Sequence, residues 1–375
     1  MRNRLFKYNE KSCSMKHLKI FMLASLSLSL GLVSCSSEAD DPIATGEDNV
    51  IRFTAASPQA QDRASTDITT SNLKQFFVYG YLASDMSLYM SNVEVNKTGT
   101  NLWEYSPVKY WPSGDAVNFY AYAPANMLPS GVTPLDKIAF TNDGYTDFIY
   151  AVSPDMTQPA SGSNAQVKFN FRHALAKVTV MLSSTDTKLK VRVNNVTIVG
   201  VNKNGDFEFP SSSTAENPGS ATASSIGTWS NLSGRSIAVL HMAQRQNEIL
   251  TLTSQPIDAD TDGNSIKFFI PQELPFVQGG DYDNEVYLLM TCAIYDNATG
   301  TKVWPNANTP EENLSNMGAE GFIHLSLQGP SFTAWHGGYH YVYNVVINGH
   351  PDMSQIEFGD PSVDSYVTVT TQLQP

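Results

Sequence analysis

The chain has 375 residues with a formal net charge of −13 at pH 7, and 16% of its residues are charged. This length can form two domains, each with its own hydrophobic core. Because an acidic protein repels phosphate groups, the composition argues against nucleic acid as a partner and against a basic patch as the means of membrane attachment.

The first 34 residues have the pattern of a secretory signal peptide. Six basic residues precede an uncharged apolar run that extends from Ile20 to Val33. A helix of about 14 residues is roughly 21 Å long, which is too short for the ~30 Å hydrocarbon core of a bilayer. We therefore predict that residues 1–34 are a targeting segment that is removed from the mature protein.

The apolar run ends in L-V-S-C at residues 32–35, which resembles a bacterial lipobox. In such a motif the cysteine sulfur receives diacylglycerol before cleavage, so Cys35 would become the first residue and would attach the protein to membrane lipid. Several acyl chains anchor a protein stably. The alternative is an ordinary signal peptide with a chance cysteine. Residues 36–41 are acidic and resemble the signal that sends Bacteroidales lipoproteins to the cell surface, so residues 35–49 are predicted to be a lipidated tether.

The mature chain would be more acidic and would contain one free thiol. Removal of residues 1–34 takes away six basic residues and one acidic residue, which leaves 17 Lys and Arg against 35 Asp and Glu and a formal charge of −18. With Cys35 lipidated, only Cys292 remains, so no disulfide can form within the chain. We predict that Cys292 is a small buried hydrophobic residue.

The rest of the chain predicts short strands joined by turns, an all-β protein. Thr, Ser, Val, Tyr and Phe are abundant, and no apolar helical period is sustained over three turns. Residues 202–206 are a predicted turn. A Ser/Gly segment at 161–164 predicts a boundary between an N-terminal domain (50–164) and a C-terminal domain (165–375). The predicted strands are 50–55, 75–82, 102–111, 116–123, 137–140, 147–152, 167–182, 190–201, 237–241, 249–253, 265–270, 285–295, 321–327 and 339–347.

Five segments in this order resemble the fimbrillin-like family of Bacteroidales pilus subunits. They are Y-W-P at 110–112, V-N-F-Y-A-Y-A-P at 117–124, D-F-I-Y-A at 147–151, F-N-F-R-H-A-L-A-K-V at 169–178 and W-H-G-G-Y-H-Y-V-Y at 335–343. Each segment is weakly specific alone, but together, in the family's order, they are fairly specific.

The resemblance implies two transthyretin-like β-sandwich domains in tandem, and assembly with other fimbrial subunits by donor-strand exchange. In that mode an Arg-specific surface protease removes the first strand, and a strand of the next subunit fills the groove. The implied location is the outer membrane surface and then the fimbrium. The family includes stalk, anchor and tip subunits, and the resemblance does not choose among them.

The chain contains candidate parts for such an exchange. Residues 51–55 alternate, with Ile51, Phe53 and Ala55 on one face, as a core-covering strand would. A polar stretch at 59–66 follows, and Arg63-Ala64 within it is the predicted processing site, since proteases cut exposed loops. The alternative is that Arg63 is simply a solvated loop residue.

Residues 365–374 are the predicted donor strand. One face of this segment carries Val367, Val369, Thr371 and Leu373. Added to a vacated groove, it would form main-chain hydrogen bonds, and its side chains would set the register. The alternative is a last strand that completes its own domain.

Other candidate sites have simpler interpretations. Residues 258–263 (D-A-D-T-D-G) begin like an EF-hand loop, but Phe269 occupies the twelfth position, where a bidentate Glu is needed. His336 and His340 are separated by two glycines, which argues against a helix that would align them on zinc. The sequence predicts no catalytic residues, no metal and no cofactor. Trp229 and Trp335 could stack on sugars or lie in the core, so a glycan-binding surface lipoprotein that does not polymerise is the alternative function.

Overall fold

The computed structural model describes residues 50–56, 68–69, 72–99, 102–160, 166–184, 186–213, 226–242, 255–256, 267–277, 282–314, 319–329 and 332–347. Strands make up more than half of these residues and no α-helix occurs among them, which confirms the predicted all-β class. The described part of the chain contains no helix of sufficient length and hydrophobicity to span a bilayer. The strands are β1 (Phe53–Ala56), β2 (Gln75–Leu82), β3 (Leu88–Lys97), β4 (Trp103–Glu104), β5 (Val117–Ala123), β6 (Ile138–Thr141), β7 (Ile149–Met156), β8 (Val167–Asn170), β9 (Arg172–His173), β10 (Ala176–Ser184), β11 (Leu189–Glu208), β12 (Thr228–Met242), β13 (Gln255–Pro256), β14 (Phe268–Phe269), β15 (Tyr287–Asp296), β16 (Lys302–Trp304), β17 (Gly321–Ser326) and β18 (His340–Ile347).

One six-stranded antiparallel sheet is built mostly from the first half of the chain, in the order β4-β3-β2-β5-β7-β9. One of its faces packs against the separate pair of strands β1 and β8. We call the buried side chains between them the first core. Its largest members are aromatic: Phe53, Phe76, Trp103, Trp111, Phe119, Phe169 and Phe171.

Two further sheets enclose the second core. Strand β10 pairs with β13, β14 and β18, while β11 pairs with β12, β15 and β6. Alternating residues of these strands point inward, as expected when one face of a sheet is buried. Trp335, Tyr341, Tyr343 and Cys292 lie in this core. Cys292 is therefore a buried hydrophobic residue, as predicted.

A third cluster, the linking cluster, joins residues from the two halves of the chain. Tyr122 and Tyr150 come from the first sheet, on the face opposite the first core, and they share this cluster with Phe207 and Phe268. Strand β6 also pairs with β11 across the predicted boundary. The division into domains 50–164 and 165–375 stays a prediction. Described side chains from both sides of the predicted boundary pack together in the first core and in the linking cluster.

Three predicted elements differ from the structure, and one observed strand was not predicted. The predicted turn at 202–206 is part of β11, because Asn204 pairs with β6 on one side and with β12 on the other. Pairing on both edges outweighs local turn propensity.

The predicted strand 102–111 is reduced to β4, since Pro107 has no N–H to donate. The predicted strand 167–182 is divided into β8, β9 and β10, which pair with different partners. Strand β3 was not predicted, because only Met90 and Val95 in it are buried.

Candidate functional site: the groove beneath the first strand

Strand β1 and the residues just before it place two large apolar side chains in the first core. Ile51 and Phe53 are 0% and 1% exposed, which agrees with the predicted alternation. The Phe53 ring stacks on Phe169 with centroids 5.4 Å apart, and its edge meets Phe119 at 5.5 Å. Burial of an Ile or Phe side chain contributes about 1.5–3 kcal/mol each, so removal of β1 would leave a groove with a strong preference for another apolar strand.

Backbone groups hold β1 on both edges. On one side it runs parallel to β8, from Phe53 opposite Val167 to Ala56 opposite Asn170, and the Val167 N–H donates to the Arg52 carbonyl at 2.8 Å. On the other side the Ile51 N–H donates to the Lys109 carbonyl at 2.9 Å. Strand β1 and the residues just before it therefore occupy a slot whose edges are β8 and the segment around Lys109. A strand that replaced it would find hydrogen-bond partners on both sides.

Tyr105 fastens β1 to the segment that forms the second edge. Its hydroxyl donates to the Ile51 carbonyl at 2.8 Å and accepts from the Lys109 N–H at 3.1 Å. Its ring lies 5.4 Å from the Phe53 ring. Burial raises the pKa of Tyr105, and the hydrogen bond from Lys109 partly offsets that rise, so the hydroxyl is protonated at neutral pH and able to donate.

A buried polar contact fixes the chain beyond the predicted processing site. Both oxygens of Asp147 approach Nδ1 of His173, at 3.0 and 2.9 Å, and Oδ2 also accepts from the Ile68 N–H at 2.9 Å. Asp147 and His173 are 2% and 3% exposed. The two residues lie in separate segments of the sequence, and their contact was not predicted. Asp147 directly precedes the apolar run F-I-Y-A, and a carboxylate buried beside such a run needs a hydrogen-bond partner, which is the signal that could have indicated the contact.

Comparison with known proteins identifies the family. A family model described as fimbrillin-like matches residues 62–364. The chain belongs to the fimbrillin-like family. A fimbrial protein from Bacteroides vulgatus is 14% identical, with 85% of this chain and 99% of that protein covered and a TM-score of 0.48. The tip fimbrial protein Mfa3 from Porphyromonas gingivalis is 11% identical, with 84% and 99% covered and a TM-score of 0.39. A search of curated proteins found no match.

Several predicted site residues of this fimbrillin-like chain lie outside the described residues. They are the lipidation site Cys35, the processing site Arg63-Ala64, the donor-strand face Val367, Val369, Thr371 and Leu373, and the acidic loop 258–263. All of them stay predictions. Of the predicted parts of the exchange, only strand β1 and its neighbours lie within the described residues.

The remaining candidates have structural contacts. Trp335 is 1% exposed, and its Nε1 donates to the Tyr343 hydroxyl, so it is a core residue. Trp229 is half-buried, and its Nε1 donates to the Ala174 carbonyl. His340 Nε2 lies 2.9 Å from the Thr179 hydroxyl.

Burial raises the pKa of the Cys292 thiol, so it is not a reactive thiolate. Within the described ranges, no group of three or more His, Cys, Asp or Glu side chains could hold a metal ion.

Proposed function

We propose that the protein is a non-enzymatic fimbrial subunit that joins other subunits by exchange of a strand at the groove beneath β1. Membership in the fimbrillin-like family supports a fimbrial role, association with other fimbrial subunits and a location at the cell surface. Neither tryptophan considered for sugar stacking is a freely exposed ring, so no described contact favours the glycan-binding alternative.

The observation that carries the proposal is the placement of Ile51 and Phe53. Phe53 belongs to β1, a short strand outside the six-stranded sheet that pairs only with β8 among the described strands, and Ile51 lies two residues before it. Cleavage after Arg63 by an Arg-specific protease would detach residues 35–63, including β1. The loss would expose the aromatic floor of the first core and the backbone of β8.

The incoming strand in this proposal is the segment 365–374 of another subunit. Its face of Val367, Val369, Thr371 and Leu373 would take the places of Ile51, Phe53 and Ala55, with main-chain hydrogen bonds to the vacated edges. The hydrogen bond from the Ile68 N–H to Asp147 supports cleavage followed by strand exchange, because it would hold the chain close to the new N-terminus in place after the cut.

Replacement of Arg63 tests the proposal. Purified mature protein is treated with an Arg-specific protease and run on gels in SDS without heating. We expect the unaltered chain to form ladders and Arg63→Ala to remain a monomer. Arg63→Lys is the matched control: it keeps the positive charge and should also fail to assemble. Loop substitutions usually change stability within about 0.5 kcal/mol, so the thermal midpoints should agree within a few degrees.

Normal ladders from both Arg63 variants would contradict the proposed cut. Arg52 would not be an equivalent substitute, because it lies next to β1 and its carbonyl accepts the Val167 N–H, so cleavage there would first require the strand to leave its slot. Ladders that persist when residues 365–374 are deleted would reject the donor segment instead.

Membrane attachment through Cys35 is a separate part of the proposal. Diacylglycerol on the Cys35 sulfur would hold the uncut subunit on the outer membrane. We expect Cys35→Ala to abolish incorporation of radiolabelled fatty acid and to leave the protein mislocalised. Fatty acid that still appears on the variant would reject Cys35 as the attachment site.

A further inference from the structure

A buried serine lies between β7 and β8, the strand that forms one edge of the groove beneath β1. Strands β7 and β9 are antiparallel, with Tyr150 opposite Arg172. Two residues further along each strand, the same register would place Val152 of β7 opposite Asn170 of β8. Instead of this direct pair, Ser213 is hydrogen-bonded to both residues. No step of the proposed exchange uses this serine.

Ser213 bonds to the backbone groups that Val152 and Asn170 would otherwise offer to each other. Its N–H donates to the Val152 carbonyl at 3.0 Å, and its Oγ accepts from the Val152 N–H at 2.6 Å. The hydroxyl proton has two acceptors at 3.2 Å, the carbonyls of Val152 and Asn170. Nδ2 of Asn170 donates to the Ser213 carbonyl at 3.3 Å. Ser213 is 0% exposed, so this bridge from β7 to β8 is shielded from water.

A second serine connects the same two strands nearby. Ser153 of β7 is 3% exposed, and its Oγ donates to the Lys168 carbonyl at 3.1 Å. The carbonyls of Lys168 and Asn170 thus face β7. The other edge of β8 is the one that pairs with β1, beginning where the Val167 N–H donates to the Arg52 carbonyl. The two serines therefore hold β8 along the edge opposite β1.

The two bridges gain importance when β1 leaves, because β1 is the one described strand that pairs with β8. Apolar contacts would remain: the Phe169 ring lies 5.6 Å from Phe76 and 6.5 Å from Phe119. Hydrophobic contacts are non-directional, whereas hydrogen bonds require defined distances and angles. The serine bridges would therefore orient the backbone of β8 in an empty groove.

Ser213 comes from the C-terminal side of the predicted domain boundary. It belongs to the segment that follows β11, and this segment is attached to the linking cluster by Phe209. The Phe209 ring lies 5.7 Å from Tyr150 of β7 and 5.9 Å from Tyr120 of β5. One edge of the groove is thus supported by a segment from the other half of the chain.

We propose that Ser213 and Ser153 are positioning residues for the strand exchange, which hold β8 as a preformed acceptor edge after β1 has left. This inference rests on the proposed function. An incoming strand would meet a backbone that is already in place. A site that is ordered before binding avoids the cost of ordering it during binding, and its affinity is higher for that reason.

The test measures how a strand binds to the empty groove. Mature protein is cut with the Arg-specific protease, separated from the released segment and kept dilute to prevent ladder formation. The probe is a fluorescein-labelled peptide with the sequence of residues 49–57, which contains β1, and its binding is followed by fluorescence anisotropy. We expect Ser213→Ala to slow association and to raise the dissociation constant about two- to ten-fold, the range for one hydrogen bond. Ser153→Ala should act in the same direction with a smaller effect.

Ser236→Ala is the matched control. The Ser236 hydroxyl also connects two strands, since it donates from β12 to the Val201 carbonyl of β11 at 3.2 Å, but these strands belong to the second core. Its loss should leave the association rate and the dissociation constant of the peptide unchanged. Near-ultraviolet circular dichroism checks that each variant is folded. If Ser213→Ala is not, the comparison of Ser153→Ala with Ser236→Ala decides the outcome.

Two results would overturn the inference. One is binding to both Ser213→Ala and Ser153→Ala that equals binding to the unaltered protein. The other is an equal loss of affinity in Ser236→Ala, which would indicate a general effect of stability. Either result, with the unaltered protein binding the peptide, rejects the role of the serines alone. If the unaltered cut protein neither binds the peptide nor forms ladders, the proposed function is rejected, and the inference with it.

Discussion

Parallel strand pairs contribute to both cores, but the two pairs differ in length and in what fixes them. In the first core β1 pairs with β8 over four residues, and Ile51 and Phe53 supply the buried apolar side chains. In the second core β18 pairs with β10 over eight residues. A longer pair has more ladder hydrogen bonds and more alternating side chains in the core, so it is harder to displace.

Polar contacts increase the difference. The β18 residue Tyr343 accepts a hydrogen bond from Trp335 Nε1 and donates to the Leu327 carbonyl, both at 2.8 Å. Strand β1 contributes only main-chain groups to its hydrogen bonds, with Tyr105 as the one described side chain that bonds to Ile51. The comparison therefore favours β1 over β18 as the strand that the proposed exchange would remove.

The largest expected effect comes from truncation of the aromatic side chain in each core. Both Phe53→Ala and Trp335→Ala should destabilise the uncut protein by about 3–5 kcal/mol, because each leaves a cavity in a packed core. After cleavage and assembly, Phe53→Ala should have no effect, since its strand has left, while Trp335→Ala should still destabilise. The stability of the uncut protein is measured by denaturant unfolding. The stability of the assembled form is measured by the temperature at which the ladders dissociate in SDS.

Equal dissociation temperatures for ladders of the unaltered and Phe53→Ala chains would support release of β1. A ladder weakened by Phe53→Ala as much as by Trp335→Ala would contradict the comparison, because it would mean that β1 remains in the assembled subunit.

A smaller effect is expected from removal of one hydroxyl in each core. Tyr105→Phe loses the bond to the Ile51 carbonyl, and Tyr343→Phe loses the bond to the Leu327 carbonyl. Each hydroxyl also accepts a hydrogen bond, from the Lys109 N–H and from Trp335 Nε1, so each change should destabilise the uncut protein by about 1–3 kcal/mol. Tyr105→Phe should also increase hydrogen exchange at the Ile51 amide, because β1 is less firmly held. If exchange at Ile51 responds equally to Tyr343→Phe, Tyr105 has no specific role in fastening β1.

The sequence by itself determined the all-β class, the family resemblance and the inward face of several strands. Alternation in residues 51–55 correctly placed Ile51 and Phe53 on the buried side, because the period of two is a local property of any strand with one face in a core. The apolar surroundings of Cys292 likewise predicted its burial. Such features depend on neighbours along the chain, so a pattern in the sequence contains them.

Only the tertiary structure decided which strands pair and which polar groups meet. No local pattern shows that β1 lies parallel to β8, more than 100 residues away, or that Asp147 contacts both His173 and Ile68. The turn-like residues 202–206 became part of a long strand because two distant strands supplied hydrogen bonds to its edges. These contacts depend on chain segments that come together only when the cores form, and local propensity contains no information about them.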